Sequence, residues 1–141
     1  MDLGLDEAQQ MLKSSARTFL EAECPEEFVR AMENDERGFT LELWQKLAAQ
    51  GWLGLTFPEE YGGAGLGYVE LAVLLEEMGR SLLPGPYFST VVMAGPAIMD
   101  AGSPEQKRQF MTGIASGQLI VTLALTEPGG RWDAAGVRTV A

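Results

Sequence analysis

The chain has no histidine and a single cysteine, Cys24. The first absence removes the commonest general base and every Ser–His or Cys–His nucleophile pair. Together the two exclude a Cys/His zinc site and an internal disulfide. Cys24 stands between Glu23 and Pro25, an acidic setting that disfavours a thiolate, and it reads as an inert side chain. Long apolar runs are missing too. The longest candidate near the end, residues 119–125, is interrupted by Thr122 and is far short of the roughly 20 residues that span a bilayer. Residues 1–7 are acidic and lack the basic-then-apolar pattern of an export signal, so the expected location is the cytoplasm. Bases are scarce: 10 Lys and Arg against 20 Asp and Glu, a net charge of −10. Such a chain repels phosphate backbones, which argues against nucleic-acid partners. The acidic cluster Glu21, Glu23, Glu26, Glu27, Glu33, Asp35 and Glu36 has neither EF-hand spacing nor glycine punctuation. It reads as a solvated helix face and loop, with no metal site.

What is present is a globular composition. The 141 residues, 46% hydrophobic and 21% charged, suffice for one domain with a core. Helix signals dominate up to residue 117. Leu5, Ala8, Leu12, Ala16 and Phe19 recur at helical spacing behind a capping pair, Asp6 and Gln9. A short acidic helix is expected after Pro25, a residue suited to the first helical position. Thr40 opens another helix, with Leu41, Trp44, Leu47 and Ala48 on one face and Gly51 as its stop. In Tyr68–Met78, Leu71, Leu74, Leu75 and Met78 form one apolar stripe and Val69, Ala72 and Val73 a second. A helix apolar on most sides is expected at the centre of the bundle, ended by Gly79. Ser89 or Thr90 starts a further apolar helix, with Pro96 as a kink or boundary. Ser103-Pro104-Glu105-Gln106 is the strongest cap signal in the chain. After Gly117, residues 118–126 read as a strand.

The motifs are individually weak. The glycines of Gly62-Gly63-Ala64-Gly65-Leu66-Gly67 do not make G-x-G-x-x-G, because Tyr68 occupies the last position, and no Gly-Lys-Ser/Thr follows. Alone, the run reads as a tight turn. Methionines in apolar helices read as core filler. Tyr87 and Phe88, beside Pro84-Gly85-Pro86, suit either packing anchors or the wall of a ligand pocket. Thr126, at the end of the expected strand, offers a hydroxyl and a backbone N–H together. A buried heterocycle edge needs such groups, and Pro128 then stops ladder pairing.

In combination these pieces are specific. Phe57-Pro58-Glu59-Glu60-Tyr61 with the glycine run closely resembles the signature loop of acyl-CoA dehydrogenases. So does Ser103-Pro104-Glu105-Gln106-Lys107, followed by Gly117-Gln118 and then Ala124-Leu125-Thr126-Glu127-Pro128. Order and spacing match from about residue 5 onward. The resemblance implies an all-α fold: an orthogonal bundle of about five or six helices over residues 1–117. Residues 118–141 would be a short β segment starting a truncated middle β-domain. In the family a C-terminal four-helix domain is expected to follow the middle β-domain.

The resemblance implies a flavoprotein oxidoreductase of lipid metabolism that introduces an α,β double bond into an acyl-CoA thioester. A carboxylate removes the α-proton while flavin N5 takes hydride from the β-carbon. Leu123, Leu125, Thr126 and Trp132 would then border FAD, with Thr126 the first choice for a hydrogen bond to it. Tyr87, Phe88 and Trp132 would line the acyl-CoA site. FAD is expected in the complete assembly and not on this chain alone. Expected partners are the acyl-CoA substrate, an electron acceptor, and the remaining dehydrogenase domains or a partner subunit in an oligomer. The family continues Glu-Pro-Gly-Ala-Gly-Ser-Asp, whereas this chain has Glu127-Pro128-Gly129-Gly130-Arg131-Trp132-Asp133. Trp132 thus replaces a small hydroxyl with bulk and one N–H donor. No catalytic residue is assigned: the family's base lies on a later domain, and Glu127 matches a turn position. The alternative is a non-catalytic helical interaction subunit, or truncated paralogue, paired with a complete dehydrogenase-like chain.

Overall fold

Reciprocal capping begins the first helix: the Asp6 carboxylate accepts from Gln9 N–H at 2.8 Å while the Gln9 side chain accepts from Asp6 N–H at 3.1 Å. The computed structural model describes residues 4–140; the outer limits of the two expected domains, residues 1 and 141, lie outside them. Six α-helices occur among the described residues: α1 Glu7–Glu23, α2 Glu26–Met32, α3 Leu41–Ala49, α4 Tyr68–Arg80, α5 Gly95–Ala101 and α6 Pro104–Ala115. The chain is therefore all-α, as the sequence pattern predicts. Thr40 caps α3 through Leu43 N–H at 3.2 Å. Gly51, at φ 73°, turns the chain out of it. Ser103 and Gln106 form the capping box of α6.

The core is built where these helices meet. Ala16 and Leu20 of α1, Trp44 and Leu47 of α3, Leu71, Leu74 and Met78 of α4, and Met111 and Ile114 of α6 are all buried together. The connection after α3 adds Trp52, Leu53 and Phe57. Phe19 meets Trp52 edge to face at 5.0 Å, the geometry that ring quadrupoles favour.

The structure corrects several details. Pro25 is the N-cap of α2 and not its first helical residue. Gly79 lies inside α4, which runs on to Arg80. Of the first stripe of α4, Leu71, Leu74 and Met78 are buried as expected and Leu75 is half-buried; the second divides: Val73 is buried, while Val69 and Ala72 face solvent. The helix starting near Ser89 opens as a π-helix, Phe88–Ala94, and tightens into α5, with Pro96 just inside the boundary. Residues 118–126 run extended with no strand pairing. A strand exists only against a partner, and none stands beside this segment among the described residues. Locally it closes on itself instead, Leu125 N–H bonding Leu123 C=O at 3.0 Å in a three-residue turn.

Candidate functional site

The signature loop is held by backbone pairing. Gly65 N–H bonds Phe57 C=O at 2.9 Å, Ala64 N–H bonds Gly54 C=O at 3.0 Å, and Leu66 N–H bonds Leu55 C=O at 3.0 Å. These strands of loop pack so closely that a Cβ on Gly63 would stand 2.1 Å from the Phe57 carbonyl oxygen. The glycine run is a turn clamped onto residues 54–58, as its spacing suggests. It turns the Phe57 ring inward, where that ring is fully buried and lies 2.8 Å from the position a Cβ on Gly95 would take. Gly95 in turn gives its N–H to Thr90 C=O, the five-residue bond of the π-helix.

Two hollows flank the π-helix. The first, about 380 Å³, is lined by Leu75, Met78, Leu82, Leu83, Tyr87 and Phe88. Tyr87 is 4% exposed and donates its hydroxyl to Trp52 C=O at 2.9 Å. Burial pushes its phenol above the usual tyrosine range. Phe88 is 57% exposed. Tyr87 is thus both packing anchor and lining, and Phe88 is a free apolar wall. The second hollow, about 370 Å³, lies between α5, α6 and the extended segment, with Ala97, Ile98, Phe110, Val121 and Leu123 among its lining residues.

Gly117, at φ 73°, ends α6 and launches the extended segment. Gln118 and Leu119 N–H both bond Gly113 C=O at 2.9 Å. Leu123 lines the second hollow, Leu125 is half-buried, and Thr126 is exposed. The hydroxyl and N–H of Thr126 make no hydrogen bond among the described residues, which leaves one donor pair and one acceptor beside an apolar surface. Glu127 is fully engaged. Its carboxylate accepts from Arg138 N–H at 2.9 Å, Thr139 N–H at 2.9 Å and the Thr139 hydroxyl at 2.8 Å. The Thr139 hydroxyl and then the two backbone amides hold it below the usual carboxylate range. Trp132 is 77% exposed beside an Arg131–Asp133 ion pair of 2.7 Å.

Sequence reasoning thus selected Tyr87 and Phe88, which share one hollow, and Leu123, which belongs to the other. Leu125, Thr126 and Trp132 line neither. It did not select Thr90, whose buried hydroxyl donates to Val121 C=O at 2.7 Å; a threonine near an expected helix start carried no sign of a contact 31 residues away. Among the described residues no group of three or more Cys, Asp or Glu side chains is placed to hold a metal ion. No helix among them is long and apolar enough to cross a membrane.

A family model described as the acyl-CoA dehydrogenase N-terminal domain matches residues 6–118. The chain belongs to the acyl-CoA dehydrogenase family. It is 37% identical over 125 residues to acyl-CoA dehydrogenase FadE27 of Mycobacterium tuberculosis, across 89% of this chain and 34% of that protein. Among solved structures it resembles the ChsE4–ChsE5 complex of Mycobacterium tuberculosis. The TM-score there is 0.82 at 36% identity, over 93% of this chain and 36% of the other. It also resembles an acyl-CoA dehydrogenase from Bacillus anthracis complexed with FAD. That match has a TM-score of 0.81 at 29% identity, over 94% of this chain and 23% of the other. The chain therefore spans about a third of the length of the curated relatives it matches.

Proposed function

We propose that this chain is the N-terminal part of a flavin-dependent acyl-CoA dehydrogenase, contributing one wall of the acyl pocket and part of the flavin cradle. The observation that carries this reading is Thr126. Its hydroxyl and N–H are unengaged at the end of a segment whose Leu123 and Leu125 present apolar surface. That arrangement fits a flavin, which has an apolar ring face and a polar edge whose groups need partners once buried. When bound, FAD supplies the hydride acceptor for α,β-desaturation. Thr126 would pair with the ring edge, Leu123 and Leu125 would exclude water from its face, and Trp132 would border both cofactor and thioester. Tyr87 and Phe88 would line the acyl side. Domains 1–117 and 118–141 divide these duties: bundle and acyl wall in the first, cofactor contact in the second. Abstraction of the α-proton needs a positioned base of suitable pKa. Glu127 is committed to the backbone of residues 138–139, so the base belongs to another part of the assembly.

The partners follow from the same chemistry: an acyl-CoA, an electron acceptor, and the remaining dehydrogenase domains or a partner subunit in an oligomer, acting in the cytoplasm. Trp132 favours a second reading, a non-catalytic subunit paired with a complete dehydrogenase-like chain. The test is to assemble the chain with those domains or that subunit. Flavin absorbance and acyl-CoA-dependent reduction of a dye are then measured. A flavin-loaded assembly that reduces the dye, and loses flavin affinity in Thr126→Val, supports the dehydrogenase reading. Turnover that persists when this chain is deleted overturns it in favour of the second.

A further inference from the structure

A threonine inside a helix ordinarily returns its hydroxyl to a carbonyl of its own preceding turn. Thr18 does this in α1, donating to Ser14 C=O at 3.0 Å. Ser89, next to Thr90, does the equivalent, donating to Pro86 C=O at 3.1 Å. Thr90 departs from the pattern. The Pro86 carbonyl also takes the Thr90 backbone N–H at 2.9 Å, and the Thr90 hydroxyl turns outward to Val121 C=O at 2.7 Å. Thr90 is 0% exposed and Val121 is half-buried, so the donor end of this bond lies in the core while its acceptor lies at the edge. Among the described residues it is the one hydrogen bond joining the helices to residues 120–126. The π-helix that aims Thr90 is itself registered by the Phe57 ring against Gly95. Signature loop, π-helix and extended segment are thereby connected in series.

We propose that Thr90 is a positioning residue: its hydroxyl fixes Val121, and through it the run Leu123–Thr126, in register on the helical bundle. The tether stands on geometry; its consequence for flavin binding rests on the function proposed above. Thr90→Val removes the hydroxyl at nearly constant volume, and Thr90→Ser retains it. In the 141-residue chain, thermolysin cleavage within residues 119–125 should accelerate on the order of tenfold in Thr90→Val, the equivalent of one hydrogen bond. The Val121 carbonyl ¹³C resonance should shift, helix-amide exchange should hold, and Thr90→Ser should restore both segment readouts. If Thr90→Val unfolds the bundle, Thr90→Ala provides the same comparison. In the chain assembled with the remaining dehydrogenase domains or partner subunit, the FAD dissociation constant should rise by a similar factor in Thr90→Val and recover in Thr90→Ser. Unchanged cleavage and an unmoved Val121 resonance would overturn the tether. A loosened segment with unaltered flavin affinity would overturn the positioning role. An unsubstituted assembly that binds no flavin would instead overturn the proposed function, leaving the cleavage and resonance measurements to decide the tether.

Discussion

Arg17 on α1 grips Glu77 on α4 through two hydrogen bonds, Nε to Oε2 at 2.9 Å and Nη2 to Oε1 at 2.8 Å. Glu77 is 1% exposed, while Arg17 is half in solvent. Lys13 stands 3.9 Å away as a second cation. A carboxylate this buried needs both its charge and its lone pairs answered. The fork of Arg17 does so and thereby fixes the register of α1 on α4.

The pairing sets an acid limb of stability. The hydrogen bonds from Arg17 hold the Glu77 carboxyl below the usual range, against the opposing effect of burial. A group with a depressed folded pKa contributes stability above its unfolded pKa, about 4.3, and loses that contribution as pH falls through the folded value. Denaturant midpoints should therefore decline from about pH 4.5 downward. Glu77→Gln should flatten that limb while lowering stability near neutrality by about 1–2 kcal/mol. An acid limb identical in the variant would place the proton uptake elsewhere.

Tyr87 sets the opposite limb. Its folded pKa is raised from 10.0 by burial, so its contribution is complete below that value and drains away as pH climbs above it. Tyr87→Phe should remove this alkaline dependence. At pH 7 it should cost only about 1 kcal/mol, because the Trp52 carbonyl keeps the Leu55 N–H at 3.4 Å. Urea melts at pH 7 and pH 11 measure both effects.

Three glycines should respond to alanine in three ways. Gly63→Ala has no space, with Phe57 backbone atoms at 2.1 and 2.5 Å, and should cost about 3 kcal/mol or unfold the loop. Gly62→Ala has room but a φ of +80°, a cost of about 1 kcal/mol. Gly79→Ala sits helical in open space and should stabilise by about 0.5 kcal/mol. Thermal melts rank the three, and a stabilised Gly63→Ala would refute the clamp described for the signature loop.

Trp132 bears on the cofactor. In the assembled protein, Trp132→Ser restores the small hydroxyl usual in the family at this turn. If the parent holds FAD weakly, the variant should hold it several-fold more tightly, as read by fluorescence titration. Flavin affinity and turnover that stay the same or fall would make Trp132 a working part of an altered site.

Much of the bundle is legible in the sequence because helix ends are local chemistry. Asp6 with Gln9, Thr40, and Ser103 with Gln106 each complete a hydrogen bond within three residues. The acidic cluster is likewise a charged face, with Glu21, Glu23 and Glu26 paired to Arg80, Lys46 and Arg30. What escaped is non-local. The exposure of Val69 and Ala72 depends on which neighbours α4 has, and a period-3.6 stripe cannot count neighbours. The strand expected over residues 118–126 depends on a partner. The close packing at the end of the π-helix is against Phe57, some forty positions before Gly95. Of the candidate site, the residue types at its rim were readable, whereas the tether at Thr90 was visible only in three dimensions.

The contact between Phe57 and Gly95 has a consequence for how these positions tolerate change. The ring occupies the volume that any side chain at 95 would claim, so the two sites share a single allotment of space. Enlarging one is acceptable only as the other shrinks. Gly95→Ala and Phe57→Leu should each be harmful alone and less so together, a positive coupling of about 1 kcal/mol in a double-mutant cycle. Steric exchange of this kind makes a loop and a helix turn, far apart in the chain, vary as one position.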